Sequence, residues 1–354
     1  MSSLPRVIAS SVVRSAHEGE SHGGVYLVDL DSGSCAQVID WNDSSINWEG
    51  RGGERGLRGI AFYRDEVYLA ASNEILVYDR AFNQLRSHRN RYLRQCHEIF
   101  IDGRRLLITS TGFDSILEFD LEKRAFVRGV CFRAFDDLGD VFELDPVSRS
   151  LVHRSSHPKN GTKSHSSSLL DKLKGVLKRN GEPVIQVNEF DPDSEDGPLP
   201  ADRYHINNVF CDNGSMFFSG TGSGTLWQMS KSELKPFARI PHGTHNVRPF
   251  QTGVLLNETA GDRMAYYDRN SRLQHEFSIP RYRQAELLMC DLPEDYARQG
   301  FGRGLCLTND GLIVGGSSPA TISVYQLGVT HPIRTVNITM DVRNSIHGLE
   351  IWPF

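Results

Sequence analysis

The amino-acid sequence predicts an all-β protein folded as a six-bladed β-propeller. Short apolar strands, bounded by Gly, Asn and Asp turns, recur along most of the 354 residues, as is typical of all-β folds. Two kinds of strand hairpin also alternate along the chain. Together they form a unit of roughly 40 to 50 residues, the size of one four-stranded propeller blade.

The first kind of hairpin opens at a polar residue that stands before a short apolar run. These openings are Arg58, His97, Asn207, His245, Arg303 and, near the end of the chain, His347. The intervals 58 to 97, 207 to 245 and 303 to 347 measure 39, 38 and 44 residues. The second kind contains a strand that often ends at Asp, such as Glu74–Asp79 or Ser115–Asp120. Counting these units gives six blades.

The two chain ends are predicted to build the last blade together. The strand from His347 to Trp352 has no hairpin after it. The N-terminal strands that would complete its sheet are 7–13, 25–30 and 35–39. Closure by both termini locks the ring of many propellers, and it makes residues 1–354 one domain.

Residues 135–201 do not fit the repeat and are predicted to form an insertion after the second blade. The segment contains a spare hairpin (141–144 and 150–153), a Ser-, His- and Lys-rich loop, and a candidate helix at 169–178. Long insertions with helical character often close over a site, so this one could be a lid. A degenerate seventh blade and a surface excursion without a role are the alternatives.

Composition restricts the classes of partner. The chain is 39% hydrophobic and 23% charged, as in soluble globular proteins, and its formal net charge is −5. That charge indicates no nucleic-acid partner. With no run of 18 apolar residues and no signal-like segment, we expect no membrane partner and a cytoplasmic location. The oligomeric state is not indicated.

The strongest functional signal is the set of histidines at the blade openings. First strands line the channel of a propeller, so their equivalent positions should converge on its axis. His205 lies two residues before Asn207 and should point the same way, one level higher. We therefore expect His97, His205, His245 and His347 to lie within reach of one atom. Neutral imidazoles bind zinc and iron, so a divalent transition metal is the predicted cofactor. Alternatively, the histidines only cap the channel.

Other residues near this ring suggest a small anionic substrate. Arg58 and Arg303 could clamp a carboxylate or phosphate and assist catalysis, and Asn207 and Arg248 are further candidates for substrate binding. Glu258, in a loop that returns to the same mouth, is the predicted acid or base. Glu98 and Glu350 should face away from the histidines, on the other side of their strands.

The first functional hypothesis is a metal-dependent lyase, hydrolase or isomerase that acts on this anionic substrate. A ferrous-iron oxygenase with a His-only site is the alternative enzyme. A non-catalytic propeller that binds a ligand or a protein is the third possibility.

Four strings resemble a poorly characterised bacterial family of six-bladed propellers: CHEIFIDGRRLLITST, HINNVFCDNGSMFFSGTG, THNVRPFQTGVLLNETAGD and GRGLCLTNDGLIVGGS. In that family His-Asp/Glu, His-Leu-Asn, His-x-x-Arg and Arg-Gly motifs open successive blades, and the likeness covers most of residues 57–354 outside the insertion. More loosely, the chain is similar to the peptidyl-hydroxyglycine amidating lyase, which implies three axial histidines on zinc and two arginines. Carotenoid oxygenases are propellers with four axial histidines on iron, but their local motifs are absent from this chain.

Overall fold

The structure is a computed structural model that describes residues 3–17, 19–42, 56–134, 141–144, 151–154, 185–230, 233–294 and 297–354. Their strands form six antiparallel sheets and one separate two-stranded hairpin. This confirms the predicted six-bladed β-propeller. Within the part of the chain that is described, no helix is long and apolar enough to span a bilayer.

The blades are numbered from the first complete one. Blade 1 contains β4 (Ile60–Tyr63), β5 (Glu66–Ala71), β6 (Glu74–Asp79) and β7 (Gln84–Arg89). Blade 2 contains β8 (Ile99–Asp102), β9 (Arg105–Ser110), β10 (Ser115–Asp120) and β11 (Ala125–Ala134). Blade 3 contains β15 (Ile206–Asp212), β16 (Ser215–Gly220), β17 (Thr225–Ser230) and β18 (Glu233–Arg239).

Blade 4 contains β19 (Thr244–Phe250), β20 (Gly253–Glu258), β21 (Arg263–Asp268) and β22 (Leu273–Ser278). Blade 5 contains β23 (Leu305–Leu307), β24 (Ile313–Ser317), β25 (Thr321–Tyr325) and β26 (Arg334–Asn337). Blade 6 contains β27 (Asn344–Ile351), β1 (Arg6–Val13), β2 (Gly24–Asp29) and β3 (Cys35–Asp40). Short 3₁₀ turns occupy Thr259–Gly261 and Gln284–Glu286.

The hydrophobic core consists of six layers, one between each pair of neighbouring blades. Strand β9 shows how the period of two builds them. Leu106 and Ile108 face blade 1, whereas Leu107 faces blade 3. Each sheet is therefore apolar on both faces. This explains why the residues of each strand form a nearly continuous apolar run in the sequence.

Blade 6 is closed by both ends of the chain, as predicted. Strand β27 pairs antiparallel with β1, with Val7 opposite Ile351 and a bulge between Ala9 and Ser11. Strand β27 also lies against β23 on one side and β4 on the other, which closes the ring. The first strands of all six blades thus surround one channel.

The last residues anchor this closure on blade 1. The Trp352 ring stacks on Phe82 with 5.6 Å between ring centroids, and it meets Phe62 edge-on at 5.8 Å. Phe354 also meets Phe62 at 5.8 Å, under the guanidinium of Arg80. The aromatic cluster thereby joins the C-terminal strand to the neighbouring blade.

Trp352→Ala should lower the free energy of unfolding by about 2 kcal/mol, because it removes a large, partly buried ring from this junction. Urea unfolding followed by circular dichroism measures the change. Leu199→Ala, at a side chain that is 81% exposed, is the control and should stay within about 0.5 kcal/mol of the wild type. Equal effects of the two substitutions would show that the aromatic cluster does not hold the blade.

The end of the predicted insertion belongs to blade 2. Strand β14 (Ile185–Phe190) pairs with β11 as a fifth, outer strand. The chain beyond it is held against the same blade, since the Tyr92 hydroxyl donates to the Ser194 carbonyl at 2.8 Å and accepts from the Gly197 N–H at 2.9 Å. The spare hairpin is present as β12 (Val141–Leu144) and β13 (Leu151–Arg154). The candidate helix and the loop before it lie outside the described residues, so the lid stays a prediction.

Candidate functional site

The six residues that open the blades surround the channel in an alternating order. His97, His245 and His347 belong to blades 2, 4 and 6, whereas Arg58, Asn207 and Arg303 belong to blades 1, 3 and 5. Apart from Arg303, which is half-buried, they are between 1% and 6% exposed. The rings of His97 and His347 lie 5.7 Å apart although a blade separates them. His97 and His347 therefore approach each other within the channel, and the prediction that all four histidines lie within reach of one atom stays a prediction. We call the six residues that open the blades the axial ring.

Close approach of the inner strands fixes the backbone beneath Arg58. The Ser10 hydroxyl donates to the Arg58 carbonyl, and the same hydroxyl accepts from the Gly348 N–H at 2.9 Å. A Cβ atom at position 348 would lie only 2.2 Å from the Arg58 carbonyl oxygen. The residue after His347 must therefore be glycine for blades 6 and 1 to meet here.

Hydrogen bonds fix the tautomer of His97. The Thr111 hydroxyl donates to the Ile206 carbonyl at 2.7 Å, so its oxygen accepts from His97 Nδ1–H at 2.9 Å. That leaves a lone pair on Nε2, and Arg58 Nη1 donates to it at 2.8 Å. His97 is thus a neutral imidazole that holds a guanidinium in place.

His245 has the same support on its inner side but a different outer side. The Thr259 hydroxyl donates to the Gly302 carbonyl at 2.9 Å and accepts from His245 Nδ1–H at 2.9 Å. Its Nε2 atom is buried, and no donor among the described residues reaches it. Both threonines follow their histidines by 14 residues. This shared spacing is the sequence signal that would have identified Thr111 and Thr259 as partners of the two histidines.

The three axial imidazoles are kept neutral by their surroundings. Burial lowers the pKa values of His97, His245 and His347 well below the ordinary histidine value, and the charges of Arg58 and Arg303 lower them further. Arg303 Nη1 also donates to His347 Nε2. A cationic imidazole would be poorly solvated here and repelled by two permanent charges.

His205 lies beside the axial ring, as predicted, but closer to solvent. Its ring centroid is 5.0 Å from that of His97, and its side chain is 18% exposed. Its Nδ1 lies 2.8 Å from a carboxylate oxygen of Asp202, and its backbone is left-handed with φ of 52°. His205 thus marks the open side of the site.

The donor set does not fit a resident transition metal as it is arranged. Nε2 of His97 and Nε2 of His347 accept hydrogen bonds from arginines, so their lone pairs are not available to bind a metal ion. Across the described ranges, no three His, Cys, Asp or Glu side chains are grouped so that they could hold a metal ion. Two guanidiniums beside the imidazoles would also repel a divalent cation. We therefore derive no step through a metal, and the predicted zinc or iron stays a prediction.

Arg14 and Phe301 extend the site and were not predicted. The guanidinium carbon of Arg14 lies 4.1 Å from the centroid of the Phe301 ring, and that of Arg303 lies 4.6 Å from it. The charge of Arg14 contributes to the lowered pKa values of His245 and His347. Arg14 follows the N-terminal strand, and the pairing of β1 with β27 brings it to the site. No sequence motif therefore indicates that Arg14 belongs there.

Two predicted site residues have other partners. Arg248 Nη2 donates to the Leu305 carbonyl at 2.6 Å, at a bulge in β19. Glu258 accepts from Arg263 Nε at 2.7 Å and from the Tyr267 hydroxyl. Burial and the Glu258 carboxylate raise the pKa of Tyr267 to about 12. Glu258 therefore takes part in an ion pair with Arg263 and a hydrogen bond with Tyr267, and its role as acid or base stays a prediction.

Asn207 does belong to the axial ring. Its Nδ2 donates to the Thr244 carbonyl at 3.3 Å. Its Oδ1 is buried, and no donor among the described residues reaches it. Asn207 and His245 therefore offer two buried acceptors in neighbouring blades.

A layer of carboxyl groups lies next to the axial ring. Asn246 follows His245 with a left-handed backbone, φ of 50°, and its Nδ2 donates to Glu98 Oε2 at 2.9 Å. These two residues belong to blades 4 and 2, so their bond crosses the channel. Arg248 of blade 4 also lies 4.0 Å from Glu350 of blade 6. Glu98 and Glu350 thus meet partners from non-adjacent blades.

Glu98 should make stability depend on pH. Burial, with a smaller contribution from Glu350, raises the pKa of Glu98 to about 8. The folded state holds this proton more tightly than the unfolded state. The ionisation of Glu98 therefore lowers the free energy of unfolding as pH rises from about 4.5 to 8, by up to about 1.4 kcal/mol per pH unit. Relative to wild type, Glu98→Gln should be more stable at pH 9 than at pH 5.

Urea unfolding of wild type and Glu98→Gln at both pH values measures this difference. Glutamine keeps an acceptor for Asn246, so the variant isolates the ionisation. A stability difference that is the same at pH 5 and pH 9 would show that Glu98 titrates normally.

No protein-family model matches the chain, and no curated protein matches it in sequence. Solved structures do. A protein of unknown function from Bacteroides caccae is 8% identical over 98% of both chains, with a TM-score of 0.51. A Bacteroides fragilis protein, named as a candidate 6-phosphogluconolactonase, is 8% identical over 99% of both chains, with a TM-score of 0.50.

The virginiamycin B lyase of Staphylococcus aureus is 9% identical, covering 78% of this chain and 71% of its own, with a TM-score of 0.38. At these identities the likenesses concern the fold alone. The two Bacteroides structures agree with a propeller. They do not test the resemblance to the amidating lyase or to the bacterial family with axial histidine motifs.

Proposed function

We propose that this protein is an enzyme that acts on a small anionic substrate at the axial ring by acid–base catalysis, in a reaction of the lyase, hydrolase or isomerase type. The observation that carries the proposal is His245 Nε2. It is a buried, neutral nitrogen whose lone pair has no donor among the described residues, beside guanidiniums that can hold an anion. Such an atom suits a general base.

Arg58 and Arg303 are proposed to bind the anionic group. Each donates to the Nε2 of an axial histidine, which orients the planar guanidinium within the channel. Because a guanidinium carries five N–H donors, it can bond to an imidazole and to a substrate oxygen together. The arginines thus provide the positive charge, and His97 and His347 hold the two guanidiniums in position.

His245 is proposed to remove the proton from the substrate or from water. Its Nδ1–H stays bonded to Thr259 throughout, so only Nε2 exchanges a proton. In the free protein burial lowers the pKa of His245, and the charges of nearby arginines lower it further. A bound anion would offset their charge and make the imidazole more basic. The basicity of His245 would therefore increase when the substrate binds.

The likeness to the Bacteroides fragilis protein selects the first substrates to test. Its name refers to a lactone of a phosphorylated sugar acid, which is a small anion opened by attack of water. This choice rests on the fold alone, so the panel should also include carboxylated and phosphorylated lyase and isomerase substrates.

The test is turnover of this panel by protein purified without a histidine tag, with and without a chelator, alongside metal analysis of the same sample. We expect at least one anionic substrate to turn over, with activity that survives chelation and is lost in His245→Ala. Activity that needs stoichiometric zinc or iron would overturn the metal-free mechanism and support the metal predicted from the sequence. Failure of every anion to bind or react would overturn the proposal.

A further inference from the structure

We infer that the substrate carries hydroxyl groups as well as its anionic group, and that Asn207 Oδ1 and His245 Nε2 each accept a hydrogen bond from one of them. The inference rests on the proposed function and narrows its substrate class to hydroxylated carboxylates and phosphates.

The axial ring is electrostatically one-sided. Arg303, His347 and Arg58 occupy blades 5, 6 and 1, which are neighbours. Arg14, which follows a strand of blade 6, adds a third guanidinium near the same side. Blades 2, 3 and 4 place His97, Asn207 and His245 on the other side, without an arginine in the ring. An anionic group is therefore directed to one half of the channel.

The uncharged half presents acceptors that need donors. Asn207 is 3% exposed and His245 is 6% exposed, yet no donor among the described residues reaches Asn207 Oδ1 or His245 Nε2. Their placement is linked, because Asn207 Nδ2 donates to the carbonyl of Thr244, the residue before His245. Buried acceptors are costly to leave without a hydrogen bond. A ligand that fits both must therefore donate hydrogen bonds there.

The donor should be a neutral hydroxyl and not an ammonium group. The charges of Arg303, Arg14 and Arg58 all act on His245, where they lower the pKa of the imidazole. A positively charged ligand group beside Nε2 would be repelled by the same arginines. A hydroxyl donates without charge, and His245 Nε2 can also accept its proton during reaction. Amino acids are thereby disfavoured relative to hydroxy acids.

Matched ligand pairs test this inference by isothermal titration calorimetry. The pairs are malate with succinate, and glycerol 3-phosphate with propyl phosphate, which differ in hydroxyl groups. We expect the wild type to bind the hydroxylated member about ten-fold more tightly, as one or two buried hydrogen bonds would give. Asn207→Leu should reduce this preference and leave the affinity for succinate and propyl phosphate unchanged. Arg303→Gln should weaken both members of each pair.

The outcomes separate the two proposals. Equal affinity for the members of both pairs in the wild type overturns the hydroxyl inference and leaves the anionic site intact. A preference that is undiminished for both pairs in a folded Asn207→Leu variant assigns the hydroxyl groups to other residues and also overturns the inference. Absence of binding by all four anions overturns the proposed function itself. The comparison within the wild type does not depend on the folding of any variant.

Discussion

Arg58→Gln combined with Arg303→Gln will weaken the binding of anionic ligands about 10³-fold, and each single change will weaken it about 10- to 100-fold. A charge-assisted hydrogen bond contributes about 1.5–3 kcal/mol, and each substitution removes one guanidinium from the axial ring. Glutamine is the sharper choice over alanine because its amide can still donate to the Nε2 atom of His97 or His347. Calorimetry against the tightest anion of the panel measures the loss.

Two controls separate charge from folding. Arg89→Gln removes an arginine whose side chain is 60% exposed and paired with Glu74, and it should not change the affinity. The melting temperature of the double variant should stay near that of the wild type, since the glutamine amides can still donate to His97 and His347. Unchanged anion affinity in a folded double variant would show that the axial arginines serve the structure alone.

His245→Gln will lower kcat/KM by about 10²- to 10⁴-fold, which is the usual contribution of a general acid or base. Glutamine can bond to Thr259 but cannot accept a proton at neutral pH. The affinity for a non-reacting anion should remain close to that of the wild type. Steady-state kinetics with the first substrate identified, together with calorimetry, measure the two quantities.

The pH dependence gives a second readout of the same residue. A base must be unprotonated to act, and the pKa of His245 is lowered well below the ordinary value. The value of kcat/KM for the wild type should therefore stay level as pH falls through 6.5, where an ordinary histidine would begin to lose activity. A fall in kcat/KM centred near pH 6.5, or full activity in His245→Gln, would remove His245 from the role of base.

The fold was predictable because the blade is a local unit. Strands of period two, separated by turns, repeat within about 50 residues. The C-terminal strand has no hairpin after it, and the N-terminal strands could complete its sheet. The same register placed His97, Asn207 and His245 on the axis. That step needed only the rule that first strands surround the channel.

The partners of the ring residues were not predictable in the same way. That Arg58 donates to His97 depends on how two neighbouring first strands meet, and that Asn246 reaches Glu98 depends on a bond across the channel. Neither contact follows from spacing along the chain. One signal was available: Glu258 stands opposite Arg263 in the β20–β21 hairpin, a pairing that indicates an ion pair.

The tautomer and charge of His245, observed in the ¹⁵N spectrum of the histidine side chains from pH 8 to pH 5, test the central claim most directly. The arrangement predicts a neutral ring with the proton on Nδ1 across this range and an Nε2 signal that moves when an anionic ligand binds. A ring that carries its proton on Nε2, or that becomes cationic near pH 6.5, would contradict the assignment of His245 Nε2 as the base.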